Sequence, residues 1–277
     1  MQLALYRHLW GIDEAWETTL PKIAALNLYK GIECPLPWNQ DRGRWTDLLA
    51  KHNFAFLAMG FTGGATPAEH LVSLRDQART AKELGAKIIN VHSGSDTWTL
   101  QTGIDFFKEA VKIGRDSGIT VLHETHRSRI LFNPRDTRLI LEAVPELHLA
   151  ADFSHWTVVT GRLMDAQDQL SLAISRTRHI HARVGYDNGP QVPDPRAPES
   201  AQPLAAHEGW WDAMWDAMTA AGVAETTLTP EFGPPSYMHT LPFTNVPVAN
   251  LWDICNWQAQ RQGERFAKRQ ARATAKS

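Results

Sequence analysis

The chain has 277 residues, a formal net charge of −2, and 43% hydrophobic against 21% charged residues. That composition is ordinary for a soluble, core-forming protein, and its near-neutral balance gives no support for a general nucleic-acid binder. Two widely separated cysteines, Cys34 and Cys255, argue against a disulfide scaffold and suit a reducing cytoplasm, and neither a signal peptide nor an apolar run of the ~20 residues a membrane span needs is apparent.

Short apolar runs alternate with longer segments of helical period, the pattern of repeated βα units. The first strands are expected at Leu3–His8, Lys30–Cys34, Phe54–Met59 and Lys87–His92. Between the third and fourth, Pro67–Leu84 reads as a helix. Thr66 is its N-cap, Glu69 completes a capping box, and Gly85 ends it. Thr102–Ser117, stopped by Gly118, is the next helix, and the fifth strand follows at Thr120–Thr125. Asn133 with Pro134 opens another helix, proline taking its first position. The last strands are expected at His148–Phe153, His179–Val184 and Thr226–Phe232. Before the eighth, Trp210–Ala221 carries Trp211, Met214, Trp215 and Met218 at helical spacing, a face packed on the barrel.

Eight strands alternating with helices predict an α/β fold, a (β/α)8 TIM barrel spanning 1–277 as one domain. Residues 188–207 are proline-rich and long for a βα connection, so a rim loop or lid is expected there. Another irregular stretch, Gly233–Val248, follows the last strand. A last helix begins near Val248, and the basic tail at about 258–277 is expected to fray as solvated surface. Of eleven tryptophans, most are core filler, but Trp10, Trp38 and Trp98 follow strand-like runs and are candidate walls of a pocket.

The chemistry gathers at the ends of the last four strands. Glu124, Asp152, His181 and Glu231 are spaced about 28, 29 and 50 residues apart. Spacing near one βα unit brings each side chain to the same rim, where barrels build their sites. Three carboxylates confined there repel unless a cation neutralises them. The mixed oxygen and nitrogen set suits one divalent ion: Mn²⁺, Mg²⁺, Co²⁺ or Zn²⁺.

These residues carry a resemblance. With Glu124 in HET, Asp152 and His155 in ADFSH, His181 in HIHARVG and Glu231 in TPEFG, the chain resembles the xylose-isomerase-like barrel superfamily. The likeness is to its sugar (phosphate) isomerases and epimerases related to the ketose 3-epimerases. Gly31–Glu33 (GIE) and Asn90–Gly94 (NVHSG) resemble that family's second and fourth strand ends. The resemblance implies a metal held by the quartet, with Glu124 and Glu231 on opposite faces of a small polyhydroxylated substrate. One takes the proton alpha to a carbonyl and the other returns one, through an enediolate. Asp152 and His181 are then ligands only. His155, Arg183, His92, His8, Trp10 and Trp98 are the candidate substrate contacts. A homodimer or homotetramer is the assembly the resemblance suggests, and an exposed Trp-rich C-terminal helix would suit its interface.

The remaining histidines divide by position. His179 shares the inward face of His181 one layer deeper and is expected to be structural, while His123 should point away, towards the helices. His126, Arg127 and Arg129 form either a solvated basic loop or an anion contact. A metal-dependent lyase or hydrolase of 3-keto-glycosides would need the same quartet. Two weaker alternatives are an endonuclease IV-like nuclease and a non-catalytic sugar-binding barrel. The first lacks an evident Asp-x-His pair after His181 and a basic surface.

Overall fold

Runs such as AFLAMGF and LAA are apolar on successive residues, as strands covered on both faces are. In the computed structural model, which describes residues 1–274, they form eight parallel strands. These are β1 (Gln2–His8), β2 (Gly31–Pro35), β3 (Ala55–Phe61), β4 (Ile88–His92), β5 (Thr120–Glu124), β6 (Leu149–Ala151), β7 (Thr177–His181) and β8 (Glu225–Thr229). Each pairs with the next, and β8 closes on β1 (Leu3 opposite Thr226), giving the (β/α)8 barrel. Outside it lie α1 (Trp16–Ala25), α2 (Arg42–Lys51), α3 (Pro67–Glu83), α4 (Leu100–Ser117) and α5 (Pro134–Ala143). They are followed by α6 (Phe153–Thr160), α7 (Ser171–Arg176), α8 (Ala201–Ala220) and α9 (Leu251–Thr274). Among the described residues no helix is long and apolar enough to cross a membrane.

Local chemistry sets the helix ends. Thr66 and Glu69 make the expected capping box on α3, Asn133 accepts from Asp136 N at the start of α5, and Gly118 ends α4 at φ 65°. Between barrel and helices lies one large core. The barrel's own interior is apolar only at its base, where Ala4, Tyr6 and Leu57 meet. Above them it turns polar, with Glu33, Asn90, His179 and Thr227 all buried.

Four strands stop earlier than expected, β5 by the single residue Thr125. Asp152 leaves β6 because its side chain caps α6, accepting from Ser154 N at 3.0 Å. Pro230 supplies no N–H to extend β8, so Glu231 sits just past that strand, as Arg183 does past β7. Helix α8 begins at Ala201, led in by a 3-10 turn at Pro198–Ser200, so the rim loop is shorter than 188–207. Pro203 is tolerated in the first turn, whose N–H groups have no intrahelical partner.

The tail differs most. Residues 258–274 are helical, while 275–277 lie outside the described residues. Ile254, Cys255, Gln258, Ala259, Gln262 and Phe266 form a buried stripe of α9. Its basic residues answer acids of α8: Arg261 donates to Glu208 at 2.6 Å, Arg265 to Asp212 at 2.8 Å, and Arg269 pairs with Asp216. Trp252 and Trp257 are half-buried and covered by Arg7 and Arg261. The tryptophans of α9 therefore do not form the bare face expected.

Candidate active site

The strand ends deliver the quartet to one point. Ligand atoms of Glu124, Asp152, His181 and Glu231 all lie within 4.8 Å of one another, and all four residues are buried. Glu124 ends β5, and its Oε2 accepts from Asn90 Nδ2 at 2.7 Å and lies 2.8 Å from His92 Nε2. Its Oε1 is buried without a hydrogen-bond partner.

His181 is oriented from behind. Its Nε2 donates to Glu33 Oε1 at 3.0 Å, which turns Nδ1 towards the carboxylates. That nitrogen lies 2.9 Å from Glu231 Oε2 and 3.6 Å from Glu124 Oε2, yet it makes no hydrogen bond. A lone pair aimed at two carboxylates is stable only if a proton or a metal ion stands between them. Burial lowers the His181 pKa, but Glu231, Glu33 and Glu124 outweigh it and raise it well above the usual value. Burial likewise opposes ionisation of Glu33 and Glu124. His181 and His179 nevertheless hold Glu33 low, and His92 and His181 hold Glu124 low.

Arg183 supplies the one guanidinium bonded within the cluster. Its Nη2 pairs with Asp152 Oδ2 and donates to His155 Nε2 at 2.9 Å and Glu231 Oε2 at 3.2 Å. Its Nη1 is buried without a partner. Asp152 also accepts from Ser154 Oγ at 2.5 Å. Burial, with Glu231 and Glu124, still pushes the Asp152 pKa up despite Arg183. Four buried carboxylates, counting Glu33, thus face one guanidinium and the imidazoles. The excess negative charge, the unpartnered Glu124 Oε1 and His181 Nδ1, and the carboxylate behind His181 all fit a divalent ion.

Above this floor opens a cavity of about 610 Å³. Glu231, Arg183, His92 and Trp10 line it. Trp10 packs edge-on to Tyr237 with centroids 4.9 Å apart, and only a glycine at 233 leaves room, since a Cβ there would meet its ring at 2.3 Å. His155 is fully buried under His126, ring centroids 4.0 Å apart, and reaches the site through Arg183. Burial first, then His126 and Arg183, hold its pKa well below the usual value.

Three expected contacts are not brought to the cavity: His155, buried as described, His8 and Trp98. His8 turns into the core, its Nε2 3.4 Å from Cys255 Sγ. Trp98 packs on His70 and Phe106, with centroids 4.9 and 5.3 Å apart, because the chain turns at Gly94 and folds the indole over α4. His123 points away to Phe107 and Ser93, and His179 lies deeper, on Glu33 and Thr227, both as expected. The two rim loops are stitched together, since Gln191 donates to Gly233 O and accepts from Gly233 N. Two members of the site were not singled out from sequence. Glu33 and Asn90 stand in GIE and NVHSG, and inward alternation along β2 and β4 was the available signal.

The family model described as "Xylose isomerase-like TIM barrel" matches residues 21–235, which include the whole quartet. Among solved structures, a D-allulose 3-epimerase from Methylomonas sp. aligns with a TM-score of 0.58 at 17% identity, covering 97% of this chain and 98% of that one. The probable 3-DHS dehydratase involved in petrobactin synthesis from Bacillus anthracis aligns at 0.61 and 13%, covering 93% and 97%. A 3-keto-D-glucoside 4-epimerase from E. coli aligns at 0.55 and 13%, covering 82% and 91%. At these identities the likeness is one of fold. No curated protein matches the sequence.

Proposed function

The chain belongs to the xylose isomerase-like TIM-barrel family, and from that premise we propose that it is a divalent-metal-dependent sugar isomerase or epimerase. It moves a proton at the carbon next to a carbonyl of a small polyhydroxylated substrate. The observation that carries this reading is the convergence of Glu124, Asp152, His181 and Glu231 within 4.8 Å, with buried ligand atoms left unpartnered.

Glu124, Asp152, His181 and Glu231 would hold the ion. Bound there, it polarises the substrate carbonyl and stabilises the charge that develops on its oxygen. The residues of the chain do the rest. Glu33 holds His181 with Nδ1 forward. Glu231, which lines the cavity, exchanges a proton with the substrate carbon. Glu124, three strands away around the rim and steadied by Asn90 and His92, does so from another side. Arg183 keeps the N–H groups of Nη1 free for a substrate oxygen. The burial of the whole floor excludes water that would otherwise compete for those protons. The printed names of the Methylomonas and E. coli proteins are those of epimerases, in keeping with this chemistry.

Metal titration of the purified protein tests the reading. One equivalent of Mn²⁺ or Zn²⁺ per chain, lost in Asp152→Ala, is expected. A wild-type protein that takes up no ion after supplementation would refute it.

A further inference from the structure

The cavity is larger and more apolar than a small polar head requires. At about 610 Å³ it falls within the ~300–1,000 Å³ range of pockets that enclose drug-sized ligands. Its walls include Trp10, Trp16, Trp38, Met59, Phe61 and Tyr237. Three of these aromatics show faces to solvent: Trp38 is 78% exposed, Phe61 42% and Trp10 38%. They are continuous with the charged floor. His126 and His92 lie 4.6 Å apart, centroid to centroid, and Phe61 lies 4.6 Å beyond His92.

Among the charged groups on these walls, Glu231 and Arg183 belong to the floor, where Arg183 Nη1 is left without a partner, and Asp41 and Arg129 are engaged elsewhere. Asp41 lies 3.6 Å from Arg44. Arg129 donates to the carbonyl oxygens of Gly94 at 3.2 Å and Thr62 at 3.4 Å. Neither provides the convergent cationic donors that a phosphate group demands.

We propose that the substrate is amphipathic: its polyhydroxylated head meets the carboxylate floor, and a flat aromatic group attached to it stacks among Trp10, Trp38 and Phe61. The substrate carries no phosphate. This rests on the function proposed above for the floor, and it adds a second subsite at the mouth. Indole faces stack on aromatic rings and gain affinity from apolar area removed from water.

The test is calorimetric titration of the Mn²⁺-loaded protein with 4-nitrophenyl β-D-glucopyranoside, methyl β-D-glucopyranoside and glucose 6-phosphate. It is repeated on Trp38→Ala and Phe61→Ala, two exposed positions whose truncation spares the core. The aryl glucoside should bind about tenfold tighter than the methyl glucoside, with the gain lost in the variants and the phosphate ester no tighter than the methyl glucoside. Equal affinity for the two glucosides, including no measurable binding of either, overturns the proposal, as does a preference for the phosphate. So does a dimer that Trp38→Ala dissociates, which would assign the aromatics to a contact between copies. If a chelator leaves the affinities of both glucosides unchanged, aryl preference included, the aromatic subsite is supported while the metal-bound head is refuted.

Discussion

Glu33 Oε1 accepts a hydrogen bond from His181 Nε2 at 3.0 Å, and this fixes which imidazole nitrogen faces the carboxylate cluster. A carboxylate behind a ligating histidine sets its tautomer and raises its basicity. Replacing Glu33 with glutamine keeps the shape and removes the charge. Metal affinity is then expected to fall about 10–100-fold, read by competition with a coloured chelator. An unchanged affinity would mean that Glu33 merely fills the barrel.

Arg183 makes a different prediction. Its guanidinium neutralises Asp152 and Glu231 in a buried site, and removing one partner of a buried ion pair costs about 3–5 kcal/mol. Metal-free Arg183→Met is therefore expected to unfold at lower urea than the metal-free wild type. Added Mn²⁺ should then stabilise the variant, because an ion bound only by the folded state shifts the equilibrium towards it. A variant as stable as the wild type without metal would show that the carboxylates are not mutually repelling.

Stability should also depend on pH through His207. It is buried, its Nδ1 donates to Pro203 O at 2.9 Å, and its Nε2 accepts from Gly185 N at 3.2 Å. Burial pushes its pKa down from 6.5 to about 4. The folded state therefore prefers the neutral ring. Its contribution is complete above the unfolded pKa and is lost as pH falls from about 6.5 to about 4, up to ~3 kcal/mol. Urea midpoints measured across that window should decline less steeply in His207→Gln than in the wild type, and parallel curves would contradict the assignment.

Much of the barrel was legible in the residues. Capping boxes and glycine stops act within a turn, so Thr66, Glu69 and Gly118 mark α3 and α4 unaided. The quartet was legible because residue types able to ligate a metal, three carboxylates and an imidazole, recur at the ends of the last four strands. What was hidden depends on distant partners. The part of α9 from Gln258 on read as a solvated tail because its buried stripe includes Gln258 and Gln262, whose amides donate to Ala182 O and Glu208. Helix α1 carries Pro21 and no capping side chain. Trp98 and His8 stand where pocket residues should, and only the packing of α4 and of Cys255 turns them away.

The burial of α9 has a measurable consequence. Phe266 packs edge-on against Trp215, with centroids 5.2 Å apart. Phe266→Ala should cost about 3 kcal/mol, seen as a lower midpoint in denaturant. A cost near zero would return residues 258–274 to the frayed tail that composition suggests.

The central claim is proton transfer next to a carbonyl at a metal held by Glu124, Asp152, His181 and Glu231. It is tested most directly by incubating the Mn²⁺-loaded protein in D2O with a panel of ketoses and 3-keto-glucosides and following deuterium uptake by NMR. Uptake at the carbon alpha to the carbonyl of at least one substrate is predicted, reduced at least ~100-fold in Glu231→Gln although that variant still folds. No uptake into any member of the panel by a protein shown to carry its metal, or equal uptake by Glu231→Gln, would contradict it.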